Sequence, residues 1–194
     1  MGEKDNYCVW NMLERCLIEH CSPTLACLKT ANLFNLSFPA EDILIKQLAA
    51  WNRTLEPKGV SVLVLRRQKN SALVYVYRKA RLQKDLERPG VSRFLTAYGY
   101  QNTKMDQAIN RLRSRLAESD SFPHEIGIFL GYPLGDVVGF IQNAGRNSKC
   151  TGCWKVYCNE CEAIKYFAKF RKCKDVYWRL WNQGKSVWQL TVAA

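Results

Sequence analysis

Four cysteines spaced Cys150-x2-Cys153-x4-Cys158-x2-Cys161 form the chain's most obvious chemistry-bearing group. Two Cys-x2-Cys hooks are the usual way to bring four thiolates to a tetrahedral zinc ion. Here only four residues separate the hooks, and Trp154 to Tyr157 alternate as a strand does. A strand there would turn Cys153 and Cys158 to opposite faces. The spacing also differs from ferredoxin cluster patterns. We therefore expect no metal site, keeping these four thiols as outside candidates. The chain is expected to need no cofactor for folding, and the sequence names none for function.

Other reactive side chains are more scattered. Cys21 follows His20, and a thiol beside a base can become a nucleophile. Lys29 stands within an apolar run, where it could meet an anionic ligand or extend outward. His124 and Glu125 open another apolar run. A histidine there can act as general acid or base, but no second histidine follows four residues on, as the metalloprotease helix motif requires. Lys29, His124, Glu125 and Cys21 are the candidate catalytic residues. The sequence leaves open whether the chain is an enzyme.

The segment from His124 to Ile141 carries glycines at 127, 131, 135 and 139. Each removes a side chain where backbone or ligand approaches closely. Read as strand 125–131, a turn at Tyr132-Pro133-Leu134-Gly135-Asp136 and a helix over 137–143, it would aim free N–H groups at one point, which suits an anion. It lacks both the Gly-x-Gly-x-x-Gly of dinucleotide sites and the Gly-Lys-Ser/Thr of a P-loop. The alternative is close helix–strand packing around the glycines.

The elements that must position these residues read as mixed α/β. A helix follows Asp5 or Asn6, its stripe of Val9, Met12, Leu13, Cys16, Leu17 and His20 running to Pro23. Residues 21–34 have no period and read as extended chain. A second helix follows Ser37-Phe38-Pro39 and stops at Pro57-Lys58-Gly59. The runs 60–66 and 72–78 flank a polar turn and predict an antiparallel hairpin. Residues 79–118 read as helices broken at Pro89-Gly90 and near Gly99. A strand over 154–157 and a helix from Ala163 follow, giving a strand–helix–strand unit with a right-handed crossover. Lys185–Val192 reads as an edge strand. The expected fold is α+β: a small central mixed sheet with a hairpin and a βαβ unit, packed by helices. It is expected as one domain over 1–194, with an N-terminal helical segment (6–56) and a sheet-containing body (60–194).

The 194 residues include 29 Lys or Arg against 17 Asp or Glu, a formal charge of +12. Such an excess favours polyanionic partners. Basic runs lie at Arg78–Arg93, at Arg111, Arg113 and Arg115, and at Lys165–Lys174, the last near Tyr166, Tyr177 and Trp178. Basic groups among aromatics can bind nucleic acid, though no helix-turn-helix or zinc-finger signature accompanies them. There is no long apolar span and no basic-then-apolar leader, and the nine cysteines suit a reducing compartment. A cytoplasmic protein with no membrane association is expected.

Several motifs are more specific. His124-Glu-Ile-Gly-Ile-Phe-Leu-Gly-Tyr-Pro133, Asp136-Val-Val-Gly-Phe-Ile141, Cys153-Trp-Lys-Val-Tyr157 and Cys21-Ser-Pro-Thr-Leu-Ala-Cys-Leu-Lys-Thr-Ala-Asn-Leu-Phe34 together resemble a domain-of-unknown-function family of anaerobic Gram-positive bacteria. That family more usually has glycine at the position of Cys27 and tyrosine at that of Cys153, and its motifs do not include Cys158 or Cys161. The resemblance implies a setting in flavodoxin-type redox or iron physiology. Together with the glycine segment it points to a binding site of Lys29, Gly131, Tyr132, Pro133, Gly135, Asp136, Trp154, Lys155 and Tyr157. The expected function is that of a cytoplasmic binding or accessory protein, with a small anionic ligand or an acidic redox protein as partner. The alternatives are a nucleic-acid-binding protein using the basic helices, and an enzyme with a Lys/His/Glu pocket.

Overall fold

Alternating branched residues drive the hairpin that organises the first part of the chain. In a computed structural model describing residues 3–118 and 122–193, with side chains from residue 12 onward, strands β2 (Val60–Gln68) and β3 (Ser71–Arg78) pair antiparallel around a two-residue turn. A bulge between Val64 and Arg66 shifts the register once. A third strand, β1 (Ala31–Ser37), pairs antiparallel with β3, giving the sheet order β1-β3-β2. The central strand β3 is buried along nearly its whole length. Val74 and Val76 join a core that also holds Leu13 and Leu17 of α1 (Glu3–Leu25) and Leu44, Leu48 and Leu55 of α2 (Glu41–Leu55). Helices packed on an antiparallel sheet make the protein α+β, as the sequence pattern predicts.

The chain divides into two compact units, Met1–Ala80 with Cys173–Ala194, and Arg81–Lys172. The first contains the three-stranded sheet. The second is formed from the end of α3 (Lys79–Leu86), then α4 (Val91–Thr96), α5 (Met105–Glu118), α6 (Ile126–Phe129), α7 (Leu134–Gln142), a two-stranded ribbon of β4 (Cys150–Thr151) and β5 (Lys155–Val156), and α8 (Glu160–Asn182) up to Lys172. No described helix is long and apolar enough to cross a membrane.

Four expectations need correction. Residues 125–131 do not form a strand: Ile126 to Phe129 make one buried helical turn, and a buried apolar run has no period to separate helix from strand. Among the described residues there is accordingly no βαβ unit and no mixed sheet, because β5 pairs antiparallel with β4. Lys185–Val192 is not an edge strand. It holds the short helix α9 (Val187–Leu190), started by a capping box in which Ser186 Oγ accepts from Gln189 N and Gln189 Oε1 from Ser186 N. Finally, Pro23 does not end α1, which continues to Leu25.

The end of α1 explains much of the first motif. Leu28 N donates to Pro23 O (2.8 Å) and Cys27 N to Thr24 O (3.1 Å), a Schellman closure with Cys27 in the left-handed region at φ 57°. Arg78, the first residue of a basic run, is 1% exposed. Its Nε donates to Thr24 O (2.6 Å), and its Nη2 to Leu25 O (2.6 Å) and Val192 O (2.7 Å). A guanidinium thus satisfies carbonyls at a helix end, where its charge also complements the dipole.

A left-handed backbone costs a residue with a Cβ about 1–2 kcal/mol. Cys27→Gly is therefore expected to stabilise the protein by about 1 kcal/mol, a rise of about 2–4 °C in thermal midpoint for a chain of this size. A lower midpoint would contradict this geometry.

Candidate functional site

The site is built on the turn between α6 and α7. Gly131 N donates to Ile128 O (3.0 Å) and Tyr132 N to Gly127 O (2.9 Å), with Gly131 at φ 77°. This second Schellman closure needs a glycine, and it reverses the chain. Pro133 precedes α7, and its carbonyl accepts from Asp136 N and Val137 N. The other glycines make room for close packing. A Cβ on Gly127 would lie 2.7 Å from Val137, on Gly135 2.4 Å from Cys158 Sγ, and on Gly139 2.5 Å from Tyr157. Close packing, rather than an anion cradle, accounts for these three positions.

Asp136 is the polar centre of this region. It is 3% exposed, and its carboxylate accepts three hydrogen bonds of 2.8 Å. Oδ1 receives the backbone N–H groups of Tyr157 and Cys158, and Oδ2 the indole N–H of Trp154. The β4–β5 ribbon is thereby tied to α7. Trp154 stacks on Tyr132 (centroids 4.9 Å apart) and meets Phe167 edge-on (4.6 Å). Gly152 permits this, since a Cβ there would lie 2.2 Å from Phe167.

Beside this aromatic stack lies a cavity of about 460 Å³. Its walls are mostly apolar: Phe122, Ile126, Leu130, Val137 and Phe140 with the rings of Tyr132 and Trp154. His124, Thr151 and Lys155 contribute the polar edge, with the engaged Asp136. The His124 ring packs edge-on against Phe140, 4.9 Å away. Lys155 Nζ donates to Gly145 O (2.6 Å), and the Tyr132 hydroxyl to Cys153 O (3.1 Å). Burial pushes the Tyr132 phenol well above its ordinary pKa, with Cys153 adding to the rise.

His124, Tyr132, Asp136, Trp154 and Lys155, all singled out from the sequence, line this one cavity. Gly131 and Pro133 shape its turn, Gly135 packs on Cys158, and Tyr157 packs on Gly139 while its hydroxyl donates to Arg146 O (2.9 Å). Glu125 is 1% exposed and accepts from Arg115 Nε and from the Tyr100 hydroxyl (3.2 Å), so it serves a buried ion pair. Lys29 belongs to the first unit, is 8% exposed and donates from Nζ to Ala31 O (2.5 Å). Cys21, in the same unit, is fully buried, and burial drives its pKa far upward, away from a reactive thiolate.

The cysteine hooks surround the ribbon. Cys150 lies in β4 opposite Val156, Cys153 in the turn, Cys158 just after β5 and Cys161 in the first turn of α8. The pKa of Cys150 is raised by desolvation and then by Glu160, that of Cys158 by desolvation and then by Asp136. Both shifts oppose the thiolate that a metal needs. Among the described residues, no three Cys, His, Asp or Glu side chains group as a metal ion would require.

A family model described as protein of unknown function, DUF3793, matches residues 17–191. The chain belongs to the DUF3793 family. The match includes every residue that lines the cavity. No curated protein and no solved structure matches the chain.

Sequence reasoning missed Phe122, Ile126, Leu130, Val137, Phe140, Thr151 and Gly152. In the sequence the apolar members have the pattern of ordinary core, and residues 126–129 that of a strand. The only signal available for them was the concentration of aromatics near the glycines. The Asp136 clamp is directly testable. In Asp136→Asn, either amide orientation puts an NH2 against an N–H donor. The variant is expected to lose about 2–3 kcal/mol in urea unfolding, with faster hydrogen exchange at the Trp154 indole. An unchanged unfolding midpoint would contradict the clamp.

Proposed function

We propose that this is a cytoplasmic binding or accessory protein that holds a small, mainly apolar molecule in the cavity of its second unit. The observation that carries this reading is the cavity itself: about 460 Å³, walled by aliphatic and aromatic side chains with few polar groups at its edge. Ligand sites commonly have this size and composition. The enzyme reading is less favoured, because Glu125 is committed to Arg115 and Tyr100 and Lys29 to Ala31 O. His124 alone would then remain as an acid–base group. A planar aromatic ligand would also suit the redox setting that the family resemblance implies.

N-phenyl-1-naphthylamine, a neutral probe that fluoresces in apolar surroundings, is expected to bind saturably at one site per chain. Thr151, exposed on the cavity lining, offers a way to obstruct it. Thr151→Trp should weaken the probe at least about tenfold, or about 1.4 kcal/mol, with unchanged circular dichroism. Absence of saturable binding, or binding untouched by the obstruction, would refute the reading.

A further inference from the structure

We infer that the natural ligand of the cavity is an amphipathic monoanion, an aromatic or aliphatic body bearing one carboxylate that meets the Lys155 ammonium. This rests on the reading of the cavity as a binding site and specifies its ligand.

The polar side chains of the lining are His124, Tyr132, Asp136, Thr151, Trp154 and Lys155. Among the described residues Asp136 is the only acid in the lining, and its carboxylate is occupied by the Trp154 indole and two backbone N–H groups. It has little left to offer a cationic ligand. The Tyr132 hydroxyl spends its proton on Cys153 O. Lys155 is exposed, lines the cavity and gives one hydrogen to Gly145 O. An ammonium carries three donors, so two remain. No ion pair joins Lys155 to any described carboxylate.

An apolar ligand covering this edge would desolvate the ammonium, which is costly unless an opposite charge arrives with it. A cationic ligand would meet the same lysine as a like charge. The lining therefore selects an anion on an apolar body. A single lysine with two free donors suits a monoanionic carboxylate better than a phosphate dianion, whose strong acceptors favour several donors or a bidentate arginine.

Calorimetric titration of the whole chain with 2-naphthoate and its neutral isostere 2-naphthamide tests this directly. Naphthoate is expected to bind at least about tenfold more tightly, a difference of about 1.4 kcal/mol. Lys155→Gln, which can still donate to Gly145 O, should bring the two ligands to parity, and Lys155→Arg should retain the preference. Equal affinities in the native chain, or a preference that survives Lys155→Gln, would overturn the carboxylate assignment while leaving the cavity reading standing. Tighter binding of 2-naphthyl phosphate than of naphthoate would overturn it as well. Failure of both naphthalene ligands and of N-phenyl-1-naphthylamine to bind would overturn the cavity reading and this inference together.

Discussion

The candidate site depends on one buried carboxylate. Asp136 sits in the first turn of α7, where it favours the helix start electrostatically. Its two oxygens, however, face outward to the ribbon. Without that anchor, two residues of pairing between β4 and β5 would be a weak structure. With it, the backbone at Tyr157 and Cys158 and the indole of Trp154 are fixed to the same helix that contributes Val137 and Phe140 to the cavity. Trp154 and the α7 residues Val137 and Phe140, which all line the cavity, therefore share one polar tether. A carboxylate so fully hydrogen-bonded gains more from structure than it could offer to a ligand.

Arg78 does comparable work within the first unit, with the opposite sign. It gathers the carbonyls of Thr24, Leu25 and Val192 from segments far apart in sequence. Val192 N in turn donates to Leu25 O (3.0 Å). Both cases follow the same physical rule: irregular chain can be buried only if its backbone groups find partners. In each, a charged side chain supplies several partners at once.

Legibility followed the strength of periodicity. The β2–β3 hairpin was readable from its alternating valines, and α2 from its apolar stripe and the Pro57–Gly59 stop. Residues 126–130 were not, because burial of every residue erases the pattern that separates a helical turn from a strand. The α9 capping box was present as Ser186-x-x-Gln189 but was outweighed by the β-prone Val187 and Trp188. At the site, His124, Tyr132, Asp136, Trp154 and Lys155 were legible as unusual residue types near glycines. Their roles were not, since hydrogen-bond partners across 18 to 22 residues, as for Asp136, leave no local signature.

An apolar molecule is proposed to occupy the space bounded by α6, α7 and the ribbon. The most direct measurement is nuclear Overhauser contact between bound N-phenyl-1-naphthylamine and the protein's side chains. Contacts are expected from the probe's rings to Ile126, Val137 and Trp154 within one complex. Contacts confined to surface aromatics such as Trp178 or Trp188, with none to those three residues, would contradict it.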